Sequence, residues 1–131
     1  MSNSQCSKKT KCTEEQVARA LAVHLVLNGK TEQAITLLSK FYRVKAPKIT
    51  IGARGRYDIL GCYDLGRREI CLKDSQVYMN PFIVLHEFYH HLRSVSGKHR
   101  GNEKYADRYA LESISYYSMG CHLARDSETF C

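Results

Sequence analysis

The chain contains two prolines, Pro47 and Pro81, and the hydrophobic pattern changes period between them. Proline lacks the N–H that a helix interior needs, so a helix ahead of Pro47 stops there. At Pro81 the same residue suits the first position of a new helix, where its missing donor is harmless. The order is therefore helical, extended, helical, which makes the fold class α+β. We expect two N-terminal helices, a small three-stranded and mainly antiparallel sheet with a hairpin, and two further helices. With 131 residues, 44% of them apolar, a single core is sufficient. The expected organisation is a polar flexible tail over 1–12 and one domain over 13–131.

Local signals mark the elements. Thr13 and Gln16 have the spacing of a capping box. Val17, Ala20, Leu21, His24, Leu25 and Asn28 then recur at helical spacing until Gly29 closes the helix. Thr31 is placed to cap a second helix with a stripe of Ala34, Ile35, Leu38 and Phe41 or Tyr42. Between the prolines, Lys48–Ile51 alternates, and 57–63 and 69–73 flank a turn. If Gly66 and Arg67 form a two-residue turn, Tyr63 faces Ile70, Gly61 faces Leu72 and Cys62 faces Cys71. Ile59, Tyr63, Ile70 and Leu72 then share one face and the two cysteines the other. Asn80 caps a third helix with a stripe of Leu85, Phe88, Tyr89 and Leu92, and Asn102 caps a last one from Glu103 to about Met119.

The third helix carries His86-Glu87-Phe88-Tyr89-His90, an HExxH pattern. Residues four apart share a helix face, so both imidazoles can reach one Zn²⁺, and the intervening glutamate can reach a water rather than the metal. At this histidine and glutamate content, chance supplies roughly 0.02 such matches per chain. Zinc needs a third protein ligand. Glu103 opens the next helix and Asp107 follows one turn later. Glu103, Ala106, Asp107, Ala110, Leu111 and Ile114 share a face whose small alanines allow close helix approach, so Glu103 is a candidate ligand. Asp107 is a candidate acceptor for the ring N–H of a ligating histidine. His91 points about 100° away from His90 and is not expected to ligate. His24 and His122 read as structural, and Tyr105 and Tyr109 are the nearest tyrosines in sequence that could steady an oxyanion.

Taken together, Glu69-Ile-Cys-Leu-Lys73, Phe82-Ile-Val-Leu-His-Glu-Phe-Tyr-His-His-Leu92 and Glu103-Lys-Tyr-Ala-Asp-Arg-Tyr-Ala110 resemble a minimal zincin of the gluzincin type. The resemblance is closest to the ImmA/IrrE-like metallopeptidases, whose HExxH is followed by ExxA(N/D)x(F/Y)A. It implies a zincin-like fold and a zinc-dependent metallopeptidase. His86, His90 and Glu103 would be ligands and Glu87 the general base. It also implies that the hairpin's edge strand lies beside the cleft and pairs with an extended peptide substrate. A SprT-like resemblance, to proteases acting on DNA-bound protein, makes His99 the alternative third ligand.

Charge and cysteines complete the reading. Twenty Lys+Arg against thirteen Asp+Glu give +7. The basic residues in the tail, around the first strand and in the loop after the HExxH helix allow nucleic-acid contact, and the alternative expectation is a non-catalytic module on the same scaffold that binds nucleic acid or a regulatory protein. No apolar run is long enough to span a bilayer and no leader is evident, which gives a cytoplasmic expectation without membrane contact. The six cysteines are free for stapling because the candidate zinc site uses none. Cys62–Cys71 is the first expected disulfide, with Cys6, Cys12, Cys121 and Cys131 open among connectivities. Intracellular disulfides would point to a hyperthermophilic setting.

Overall fold

The computed structural model describes residues 11–52, 59–95 and 103–123. His99, Asn102, Cys6, Cys131 and most of the 1–12 tail lie outside the described residues. Helix α1, Glu14–Leu27, starts at the capping box. Gln16 N–H donates to Thr13 Oγ1 at 3.0 Å, and Thr13 N–H donates to Gln16 Oε1 at 2.9 Å. Helix α2, Thr31–Tyr42, starts differently from expectation. Lys30 occupies the cap position with no side-chain bond, and the Thr31 hydroxyl donates instead to the Tyr78 carbonyl at 2.5 Å. Arg43, in the left-handed region at φ 60°, turns the chain out of α2 towards Pro47.

Three strands follow: β1 Lys48–Ile51, β2 Gly61–Asp64 and β3 Glu69–Leu72, in the order β1-β3-β2. β2 pairs antiparallel to β3, but β1 runs parallel to it, so the sheet is mixed rather than mainly antiparallel. Two chain reversals separate β1 from β3 and restore the original direction. Central β3 is buried along its whole length, including Glu69 at 4% exposure.

The hairpin has the expected register, with Gly61 opposite Leu72, Cys62 opposite Cys71 and Tyr63 opposite Ile70. Its loop is longer than expected. Leu65, Gly66, Arg67 and Arg68 all lie outside the ladder, with Arg67 N–H bound to Asp64 Oδ1 at 3.2 Å and Arg68 at φ 53°. Two-residue and four-residue loops share one centre, so the pairing is the same for both.

The expected Cys62–Cys71 disulfide is absent, and both residues are free thiols. Lys73 N–H donates to the Leu60 carbonyl at 2.8 Å, and by the alternation of an antiparallel ladder this makes Cys62 and Cys71 a hydrogen-bonded pair. Such pairs have the wider spacing, near 5.5 Å between Cα atoms, and their Cβ atoms lie beyond the roughly 3.5–4.5 Å that a disulfide takes. The disulfide observed joins Cys12 to Cys121 across a sequence separation of 109. It is a long-range staple that ties the residue ahead of α1 to the 3₁₀ turn Cys121–Leu123.

Past the sheet, a short helix α3, Ser75–Tyr78, is capped by Asp74, whose Oδ1 accepts from Val77 N–H at 2.9 Å. Helices α4, Pro81–Val95, and α5, Glu103–Ser118, complete the fold. The core joins Val23, Val26, Ile35, Leu38, Ile70, Leu72, Val84, Leu85 and Phe88. The buried positions of α1 are Ala18, Arg19, Ala20, Ala22, Val23 and Val26, which differs from the expected stripe. α1 is packed against both α2 and α5, and its alanines allow both approaches. In α5 the buried set is Ala106, Tyr109, Ala110 and Ser113, while Leu111 is 57% exposed. No helix among the described residues is long and apolar enough to cross a membrane.

The disulfide assignment predicts a peptide map. Without reduction, Cys12 and Cys121 appear linked, while Cys62 and Cys71 alkylate once the chain is denatured. A closed loop of this length contributes about 4 to 5 kcal/mol in the chain-entropy treatment. Reduction should therefore move the denaturant midpoint markedly downward, and an unchanged midpoint would falsify the assignment.

Candidate metal centre

Asn80 fixes the start of α4, its Oδ1 accepting from the N–H groups of Phe82 at 3.0 Å and Ile83 at 3.3 Å. That start sets the helix phase. Val84, Leu85, Phe88 and His91 turn into the protein interior, and His86 and His90, one turn apart, flank α5. Ala106 and Ala110, both fully buried, let α5 lie close. Its first two turns bring Glu103 and Asp107 to the histidines. The bulky Phe88 and Tyr89 do not obstruct this approach, because Phe88 belongs to the core and the Tyr89 ring packs 5.5 Å from that of Tyr109.

His86, His90 and Glu103 converge, with one ligand atom from each lying within 4.8 Å of the others. His86 Nε2 is 2.7 Å from Glu103 Oε1, and His86 Nδ1 is 2.9 Å from Asp107 Oδ1. Both carboxylates can only accept, whereas a neutral imidazole carries one N–H and can serve one of them. A cation at Nε2 would take the place of the second proton. His90 Nε2 lies 3.1 Å from Glu103 Oε2 but is buried without a hydrogen bond. Burial holds the His90 imidazole below its ordinary pKa, against the pull of Glu103, so its lone pair is available. Two imidazole nitrogens, one of them the buried His90 Nε2, and one carboxylate make a donor set that could hold a metal ion.

Glu87, 8% exposed, stands beside the cluster in a cleft of about 400 Å³, with His90, Ser94 and Glu103 on one side and the β2 edge on the other. Burial first, and then Glu103, raises its carboxyl to about 7, with His86 opposing. The strand can come this close because residue 61 is glycine. A Cβ there would meet Ile83 Cγ2 at 2.8 Å and Glu87 Cγ at 3.5 Å.

Other residues singled out in the sequence lie elsewhere. The Tyr109 hydroxyl is 3.1 Å from that of Tyr42, and Tyr105 is 47% exposed with Arg108 over its ring. Neither tyrosine lines the cleft. His24 and His122 stack with centroids 5.3 Å apart beside Tyr117, away from the cluster. Tyr63 carries a role that the local pattern did not show. Its hydroxyl is 2.7 Å from Nδ1 of the fully buried His91, whose Nε2 is 2.8 Å from the Lys45 carbonyl. A carbonyl only accepts, so Nε2 carries the proton and Nδ1 accepts from Tyr63. The one hint in the sequence is that His91 falls on the buried side of the helix. No family model, curated protein or solved structure matches this chain.

The Gly61 contact yields a prediction. Gly61→Ala should displace Ile83 or lift β2, destabilising the fold by about 1–3 kcal/mol as overpacking does. Ala at the neighbouring solvent-side position, Leu60→Ala, should shift the unfolding midpoint far less. Equal midpoints for the two variants would show that β2 does not press on α4.

Proposed function

We propose that this chain is a zinc-dependent metallopeptidase of zincin-like arrangement that hydrolyses a peptide bond in a protein or peptide. The observation that carries this reading is the convergence of His86, His90 and Glu103 beside a buried Glu87 in an open cleft. The first three would hold the ion. Glu103 is favoured over His99 as third ligand by its place against both imidazoles. Bound zinc would supply a Lewis acid that polarises the substrate carbonyl and acidifies water.

The chain's own residues perform the rest. Asp107 Oδ1 accepts from His86 Nδ1–H, which fixes the tautomer and leaves Nε2 as the donor atom. The Glu87 carboxylate takes a proton from the attacking water and passes it to the leaving amine nitrogen. β2 is an edge strand of the sheet. Because Leu60 and Cys62 bond towards β3, the main-chain groups of Gly61 and Tyr63 point outward along the cleft. An extended substrate can add there as a further strand.

Purified protein should carry one zinc per chain and lose hydrolysis on chelation. Glu87→Gln should keep zinc yet reduce turnover by about 10²–10⁴-fold, the usual contribution of a positioned acid–base group. His86→Ala and His90→Ala should lose the metal. Absence of stoichiometric zinc, or full activity in Glu87→Gln, sinks the reading. A separate expectation concerns Asp107→Asn, which should weaken zinc binding by about 10–100-fold in a chelator competition while the fold survives.

A further inference from the structure

The cleft differs chemically between its two ends. β2 and α4 run side by side in the same sense, since Gly61 sits against Ile83 and Glu87 while Tyr63 reaches His91. Beyond Tyr63 the cleft continues to Leu65 and Ser94. At that end the hairpin loop presents Arg67 and Arg68, both exposed. Lys45 is exposed nearby, its carbonyl bound to His91 at 2.8 Å. Lys48, also exposed, donates its N–H to the Arg68 carbonyl at 3.0 Å.

Among the described residues, the acids at the same end offer little opposition. Asp64 lies 3.9 Å from Arg67 as an ion pair, and Glu69 is only 4% exposed. The positive charge of Arg68 is felt at Tyr63 and His91. At the other end the cleft is bounded by Ile59, and Leu60 beside it is 48% exposed. Among the described residues, the cleft thus runs from Ile59, past Glu87, His90 and Glu103, to Leu65 beside the cationic hairpin loop.

Direction follows from the strand edge. Antiparallel pairing is the more stable mode. A peptide paired antiparallel to β2 runs, from its N- to its C-terminus, from the Arg67–Arg68 loop towards Ile59. Residues preceding the bond beside Glu87 therefore lie on the side of the Arg67–Arg68 loop.

We propose that the cationic end of the cleft selects segments bearing acidic residues on the N-terminal side of the bond held beside Glu87, read by Arg67, Arg68 and Lys45. The position of that bond rests on the peptidase reading above, whereas the charge preference belongs to the surface and can be measured by binding alone.

The test uses the full-length, zinc-loaded Glu87→Gln protein and fluorescence anisotropy of two labelled peptides of equal composition. One carries its glutamates before an apolar centre, the other after it. The first should bind about fivefold tighter at about 50 mM salt, the scale of a few exposed ion pairs, and the gap should close near 500 mM as charges are screened. Arg67→Gln with Arg68→Asn should abolish the gap, asparagine being chosen because it tolerates positive φ. Lys45→Gln should narrow the gap independently, and Lys30→Glu, ahead of α2 and away from the loop, should leave it intact. Equal binding of the two peptides, the opposite order, or a gap that survives the double variant overturns the proposal. If the unsubstituted protein cleaves both peptides without preference, the charge reading fails and the peptidase reading stands. If the binding preference holds but neither peptide is cut, the peptidase reading fails and this one stands.

Discussion

A buried guanidinium sets the geometry on which the candidate site depends. Arg19, in the middle of α1, is 6% exposed, and a charge so placed is tolerated only where its donors are met. Nearly all of its partners belong to α5. Nε donates to Ser113 Oγ at 2.9 Å, and Nη2 donates to the Tyr109 carbonyl at 2.8 Å and to Glu112 Oε1 at 3.3 Å. The guanidinium also lies 3.9 Å from the centre of the Tyr109 ring. These contacts fix both the depth and the roll of α5 against α1. Because α5 is one continuous helix, they also determine where Asp107 and Glu103 stand towards its start. Tyr109 extends the constraint. Its ring packs against Tyr89 of α4, and its hydroxyl donates to Tyr42, whose own hydroxyl donates to Glu15 at 2.7 Å. Burial lifts both phenols, Tyr109 to about 12, so they remain neutral donors. One ring therefore joins α1, α2, α4 and α5.

This arrangement explains why some of the fold was legible in the sequence and some was not. The capping box at Thr13, the Asn80-Pro81 start and the pairing of Cys62 with Cys71 are set by neighbouring residues, and they can be read from a few letters. The buried face of α1 is set by what packs on it. The expected stripe leaves out Arg19, since an arginine is ordinarily exposed, yet here its donors are met across 90 or more residues of chain. The same applies to Thr31, whose hydroxyl serves a distant carbonyl instead of the local cap that its position suggested. β1 alternates whether it pairs parallel or antiparallel, so its direction depended on the number of chain reversals that follow.

The candidate site divides along the same line. Spacing alone puts His86 and His90 on one face, and Glu103 with Asp107 on another. That the faces meet depends on Ala106 and Ala110 leaving room and on Arg19 holding the roll. The cysteines show the limit most plainly. Facing positions could be counted along the hairpin, but whether a facing pair can form a disulfide depends on which of the two alternating ladder spacings it occupies. That in turn depends on where the loop hydrogen bonds begin. Cys12 and Cys121 are distant in sequence, and folding brings their Cα atoms to 5.9 Å.

The edge of β2 is held to α4 by two different means, and together they keep it parallel to the row of Glu87 and His90. At Gly61 the contact is steric, the strand lying so close to Ile83 and Glu87 that even a methyl group would collide. At Tyr63 it is a directed hydrogen bond to His91, whose other nitrogen is committed to the Lys45 carbonyl. Burial lowers the His91 pKa, and Arg68 adds to the effect, which favours the neutral ring that this pair of bonds requires. A close contact limits how near the strand can come, and a hydrogen bond limits how far it can move away. With both limits in place, the outward main-chain groups of Gly61 and Tyr63 keep a constant offset from the Glu87 carboxylate. Under the proposed peptidase reading, an edge strand presented at a fixed distance from Glu87 would place one bond of an extended chain, and not its neighbours, at the site of reaction.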